Sequence, residues 1–149
     1  MLLPPGNIRT AEQARFSLEY AVSAAILDGE ISLRHFQEEM IAREKTRDLM
    51  KKVVIRIPPD LQSLESKRNR YGEVRIYLSD GGVLTHRATQ IRGHPPLFLS
   101  DEEVEKKFFD CSDPVLGRAR AQELLNTLRR IETVPSVRDV VSLIRLSDS

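Results

Sequence analysis

Apolar residues along this chain fall into blocks whose spacing names the elements they build. The densest block lies between Thr10 and Gly29. After Tyr20 it runs Ala21-Val22-Ser23-Ala24-Ala25-Ile26-Leu27 and stops at Asp28-Gly29. An ordinary surface helix carries one apolar stripe and one charged face, so a helix of this composition needs cover on both sides. Thr10-Ala11-Glu12-Gln13 has the spacing of a capping box, which predicts a helix start at about Ala11, and Gly29 suits the position just past a helix end. Ser32 is placed to cap a second helix carrying Leu33, Phe36, Met40 and Ile41. Charges then dominate from Arg43 to Lys52, with Leu49, Met50 and Val53 as apolar contacts.

The period changes further on. Val53-Val54-Ile55-Arg56-Ile57 reads as a strand stopped by Pro58-Pro59. Asp60 to Arg70 is polar and predicts a loop with one helical turn at Leu61 to Leu64. Glu73 to Leu78 alternates, with Val74, Ile76 and Leu78 on one face and Arg75 and Tyr77 on the other. Ser79-Asp80-Gly81-Gly82 is a hairpin signal, and Val83 to Ile91 is the return strand. Ser100-Asp101-Glu102-Glu103 opens a helix with Val104, Phe108 and Phe109 inside. Asp113-Pro114 predicts the start of another, with Leu124, Leu125, Leu128 and Ile131 as its stripe. Ser136 caps a last helix carrying Val137, Val140, Val141 and Ile144. The expectation is one α+β domain over residues 1–149: a small antiparallel sheet, made of a hairpin plus one further strand, packed with about five helices.

Composition narrows the partners. The chain has 149 residues, 40% hydrophobic and 30% charged, which suits a folded core rather than disorder. Lys plus Arg total 23 against 22 Asp plus Glu, so no basic excess argues for nucleic acid or an anionic membrane. Cys111 is the single cysteine, which excludes an intrachain disulfide and fits a reducing, cytoplasmic compartment. Met1-Leu2-Leu3 meets Pro4-Pro5 before a signal-peptide core can form, and no apolar run reaches the roughly 20 residues that span a bilayer.

The candidate chemistry sits where polar groups enter the apolar helix. Arg15, Ser17 and Tyr20 need partners there, and Tyr20 is the foremost candidate for a ligand-facing residue. From the residues alone a core tyrosine with a satisfied hydroxyl is the better reading, and a catalytic role comes only with the resemblance of the surrounding motif. A phenol with an ordinary pKa of about 10 is a poor base at neutral pH, but it donates a hydrogen bond to a carboxylate readily. Arg15 and Arg70, with Lys67 and Arg68, are placed to bind carboxylates, since guanidinium groups pair with them in bidentate fashion. Solvated loop is the better reading for Lys67 and Arg68. The same basic cluster beside Tyr71 is a weak RNA signal with no stacking platform around it. His35, His86 and His94 are dispersed without metal-ligand spacing, and structural or surface roles suit them. Cys111 has no histidine nearby to activate it. No metal or cofactor is expected.

The stretch from Arg15 to Gly29 resembles the "FSLPYAVAAALLDG" signature of the 2-methylcitrate dehydratase family, also called MmgE/PrpD. Further motifs follow in that family's order: Asn69-Arg70 ahead of the Val74 strand, Leu78-Ser79-Asp80-Gly81-Gly82 at a hairpin turn, then Arg92-Gly93-His94-Pro95, Leu99-Ser100-Asp101-Glu102-Glu103 and Lys107-Phe108. The agreement runs from about Pro5 to Leu146. Glu19 and Phe98 stand where proline is common in the family.

The resemblance implies an enzyme class that removes or returns a proton beside a carboxylate of a small di- or tricarboxylic acid, without a metal. Its members include 2-methylcitrate dehydratase and cis-aconitate decarboxylase. It also implies that this chain corresponds to the smaller α+β lid of a longer enzyme. The principal acid–base residues would then belong to a large helical domain, and the lid's first strand and helix would lie ahead of Met1. On that reading Tyr20 is the position matching a family residue that reaches the substrate, with Phe16 and Ser17 beside it. The chain alone would be inactive. A separate helical subunit, a homo-oligomer or a purely non-catalytic interaction module are the alternatives.

Overall fold

The apolar run after Thr10 folds as two helices rather than one. In the computed structural model, which describes residues 8–59 and 71–145, helix α1 covers Ala11–Arg15 and helix α2 covers Leu18–Asp28. Thr10 caps α1 as its spacing predicts, its side chain accepting from the Gln13 N–H. Ser17 then leaves the helical conformation at φ −105°, ψ 117° and caps α2 by accepting from the Tyr20 N–H. A short hydroxyl side chain offers the backbone this alternative, and it overrides the continuous apolar pattern. α2 ends at Gly29, whose N–H bonds the Ala25 carbonyl at 2.9 Å.

The helix expected after Ser32 is likewise divided. Leu33–Phe36 is a single 3-10 turn, α3 covers Glu38–Ala42, and α4 covers Glu44–Met50. With α5 (Asp101–Leu116), α6 (Arg118–Leu128) and α7 (Val137–Ile144), the described residues hold seven α-helices instead of about five. The break between α5 and α6 falls at Gly117, not at Asp113-Pro114 as the sequence suggested. Pro114 is accommodated inside α5, while Gly117 takes φ +76°, a conformation that a Cβ disfavours. α7 is capped by Ser136 as expected, but of its apolar residues only Val140 is buried.

The described chain falls into two compact units. One is built from the segments up to Val54 and from Asp101 onward, the other from Ile55 to Ser100. In the helical unit, Ile8, Ala14, Tyr20, Ala24, Ile41 and Met50 form one buried cluster, with Ala11 and Phe36 packed against it. Phe109, Ala121 and Leu125, with Phe108, form a second. Each large side chain so buried contributes on the order of 1.5–3 kcal/mol. Two polar ties join the chain after α2 to α5: the Leu33 N–H donates to Asp110 at 3.0 Å, and Lys106 pairs with Glu30 at 2.7 Å.

The second unit holds the hairpin, the clearest success of the sequence pattern. β1 (Gly72–Tyr77) pairs antiparallel with β2 (Val83–Ala88) in a register running from Gly72↔Ala88 to Tyr77↔Val83. The turn closes through Gly81 N–H to the Leu78 carbonyl (3.1 Å) and Leu78 N–H to the Gly82 carbonyl (2.8 Å). Gly81 stands at φ +87° in it, the left-handed step that a three-residue hairpin loop requires. Glu73 bridges Arg75 and its cross-strand partner Arg87, and the Arg87 hydrogen bond is the main cause of its lowered pKa. The further strand expected at Val53–Ile57 is absent among the described residues, where the sheet has two strands. Val54 and Ile57 stay exposed. The expected loop from Asp60 to Arg70 lies outside the described residues, and so does the turn at Leu61 to Leu64. No helix among the described residues is long and apolar enough to cross a membrane.

Candidate functional site

Ser17 turns the chain into α2 and thereby aims Tyr20 inward. The Ser17 hydroxyl accepts the Tyr20 N–H at 3.1 Å and donates to the Glu19 carboxylate at 2.8 Å. All three residues are buried. Tyr20 is 1% exposed, its ring 6.2 Å from that of Phe36 and its hydroxyl donating to the His35 backbone carbonyl. Burial raises the phenol pKa above its ordinary value; Arg43 opposes the rise and Asp28 adds to it. The phenol is therefore a proton-bearing donor throughout the neutral range, as its chemistry suggested.

A polar network surrounds that hydroxyl. Arg43 grips Asp28 through both guanidinium nitrogens, at 2.9 and 2.6 Å, a bidentate geometry that fixes orientation as well as charge. Its Nε donates to Thr46 at 2.8 Å, and Thr46 is fully buried. The Arg43 hydrogen bonds hold the Asp28 carboxyl below its usual range, with smaller help from the charges of Arg43, His35 and Arg34. Asp28 raises the pKa of Arg43 in return. The His35 ring has no solvent exposure and places Nε2 3.4 Å from Asp28 Oδ2, a distance without hydrogen-bond alignment. The hydroxyl of Ser23 is also buried, with no hydrogen-bond partner among the described residues.

A depressed carboxyl pKa has a definite sign. Asp28 contributes stability above the ordinary carboxyl pKa of about 3.9, and that contribution fades as pH falls through its lower folded value. Arg43→Met is accordingly expected to destabilise the chain more at pH 7 than at pH 3, as read by urea unfolding at both. An equal loss at the two pH values would show that the pair carries no such linkage.

The sequence candidates are only partly brought together. Ser17 and Tyr20 share the buried cap. Arg15 stays exposed, with its guanidinium 5.7 Å from the Phe36 ring centre. Phe16 is 66% exposed beside it. Arg70, with Lys67 and Arg68, lies outside the described residues. His86, His94 and Cys111 are exposed, and no group of three His, Cys, Asp or Glu among the described residues is placed as metal ligands. A cleft of about 440 Å³ opens elsewhere, between α6 and α7, where Glu123, Thr127, Arg130, Val134 and Asp139 are among its walls. None of the described candidates lines it.

Sequence reasoning gave His35 only a structural or surface role and did not single out Asp28, Arg43 and Thr46. One signal was present: Ser32-x-x-His35 has capping-box spacing with histidine in the place of the usual Glu or Gln. The Asp28–Arg43 pair spans 15 positions and leaves no local pattern.

The comparisons agree with the motif order. Residues 2–133 match the family model for the MmgE/PrpD C-terminal domain. Cis-aconitate decarboxylase of Homo sapiens is 31% identical over 133 residues, covering 89% of this chain and 27% of that protein. The enzyme of the same name from Mus musculus is 32% identical over 120 residues, covering 80% of this chain and 24% of that protein. The chain thus spans about a quarter of the length of these relatives. With a match over residues 2–133 and decarboxylase relatives aligned along most of its length, the chain belongs to the MmgE/PrpD family and carries that family's C-terminal domain.

Proposed function

We propose that this chain serves as the substrate-closing lid of an MmgE/PrpD-type lyase or isomerase, a 2-methylcitrate dehydratase-like enzyme. It acts beside a carboxylate of a small di- or tricarboxylic acid, in the cytoplasm. The observation that carries this reading is the kinship with cis-aconitate decarboxylase along nearly the whole chain, although the chain spans about a quarter of that enzyme. A lid contributes by excluding water and by holding groups in place. Tyr20 supplies a proton-bearing phenol, and Arg15 at the mouth of α2 supplies a guanidinium for a carboxylate, with Ser17 ordering the turn between them. Arg70 is a further carboxylate-binding residue in this reading. The remaining acid–base groups come from a helical domain, in the same polypeptide or as a separate subunit.

The test is an activity assay of the purified chain on cis-aconitate and 2-methylcitrate, alone and with a family helical domain added in trans. No turnover alone and measurable turnover on addition are expected. Turnover by the chain alone, or none in either case, would overturn the reading.

A second reading is a non-catalytic interaction module, assembling as a dimer. What favours it is the outer face of α2, where Leu18 and Ile26 are exposed, continuing to exposed Ile31 and Leu33. Apolar surface of this kind favours association. A chain that sediments as a monomer at high concentration would dismiss it.

A further inference from the structure

His35 holds two positions at once: its imidazole closes a turn, and its carbonyl accepts the hydrogen bond of the Tyr20 hydroxyl. A backbone N–H can only donate. The Ser32 N–H donates to His35 Nδ1 at 3.0 Å, which makes Nδ1 the acceptor of that bond; the Ser32 carbonyl lies farther from the same nitrogen, at 3.3 Å. Nε2 stands 3.4 Å from the Asp28 carboxylate that Arg43 grips, out of hydrogen-bond alignment. The Ser32 hydroxyl sits 3.1 Å from the same Nδ1, and the His35 N–H donates to the Ser32 carbonyl at 3.2 Å. The Nδ1 end of the imidazole is thus held at the Ser32 cap, and the Leu33–Phe36 turn inherits that orientation. The charged groups that feel the ring are Asp28, which Arg43 grips, and Glu30, which is paired in turn with Arg34 and Lys106.

We propose that His35 is a positioning residue for Tyr20: by accepting the Ser32 N–H, its imidazole sets the Leu33–Phe36 turn so that the His35 carbonyl accepts the phenol's hydrogen bond. For the lid this has a directional consequence, which rests on the reading of Tyr20 as a substrate-site residue. While the bond to the carbonyl stands, the phenol proton is committed to it, so the phenol oxygen offers a substrate only its lone pairs. To donate to a substrate carboxylate it must leave the His35 carbonyl, and the element that releases it is this turn.

The test needs no substrate. The chain is labelled at tyrosine Cζ with carbon-13, and Tyr20 is titrated by NMR in the wild type, His35→Asn and His35→Ala. Asparagine keeps an acceptor near the Nδ1 position and loses Nε2; alanine loses both. Tyr20 is expected to titrate in His35→Asn as in the wild type. In His35→Ala its proton affinity is expected to fall about tenfold, one pH unit. His35→Ala titrating as the wild type, or His35→Asn falling as far as alanine, would overturn the proposal. Should His35→Ala not fold, the ring nitrogen spectrum of the wild type decides: a bare Nδ1 is expected, and a protonated Nδ1 overturns the assignment. Loss of the lyase reading would leave these measurements untouched, and their failure would leave the lyase assay standing.

Discussion

Tyr20→Ala is expected to cost about 3–5 kcal/mol of unfolding free energy, the range for removing a large buried aromatic. With total stabilities of about 5–15 kcal/mol for domains of ordinary size, that loss leaves the helical unit marginal or unfolded. The ring is buried against Phe36 and the cluster of Ala14, Ala24, Ile41 and Met50, and α1, α2 and the following short helices have no other aromatic of comparable burial. Tyr20→Phe separates the hydroxyl from the ring. It leaves the His35 carbonyl without its donor, which is expected to cost about 1–3 kcal/mol. The phenylalanine variant should also lack one feature of the pH profile. Tyr20 has a raised folded pKa, so its contribution is complete below an ordinary phenol pKa of about 10 and is lost as pH rises through the folded value. Guanidinium unfolding of the three proteins at pH 7 and at alkaline pH reads both effects. Equal stability of Tyr20→Phe and the wild type would show that the hydroxyl contributes nothing.

Phe109→Ala is expected to destabilise by a similar amount, about 3–5 kcal/mol, at the second cluster. Phe109 lies edge-on to Phe108 with ring centres 5.4 Å apart, and it packs on Ala121 and Leu125. The Arg118 guanidinium stands 3.5 Å above its ring. Removing the ring therefore opens a cavity between α5 and α6 and strips Arg118 of a cation–π partner, an interaction of about 0.5–2 kcal/mol. Phe109→Leu conserves most of the volume and is expected to cost about 1.5 kcal/mol or less. Arg118→Lys tests the smaller term: a change well below that of Phe109→Ala is expected. Thermal and urea unfolding followed by circular dichroism measure the series, and Phe109→Ala as stable as Phe109→Leu would refute the packing argument.

Much of the fold is legible in the chain itself. Thr10 and Ser136 cap the helices they were expected to cap, because a cap is a contact between a side chain and a backbone N–H two or three residues on. The hairpin follows from alternation and a glycine turn for the same reason. Errors arise where two local signals compete. Ser17 looks like one hydroxyl in an apolar run but acts as a cap, and Pro114 looks like a helix start but is passed over in favour of Gly117. The Val53–Ile57 segment fails differently. Its strand propensity is real, but a strand needs a neighbour, and no residue within the segment supplies one.

The candidate site divides along the same line. Sequence alone marks Tyr20, Ser17 and Arg15 as the polar entrance to an apolar helix, and its motifs point to the MmgE/PrpD family. Only the tertiary structure decides that Tyr20 points inward, that its hydroxyl donates to the His35 carbonyl, and that Asp28, Arg43 and Thr46 join in one network near it. Tyr20 and His35 are 15 residues apart, as are Asp28 and Arg43. A local pattern of three or four residues fixes caps and turns, because the interacting groups travel together along the chain. A buried hydrogen bond across 15 residues depends on where intervening turns set the two ends down, and packing of the whole unit settles that.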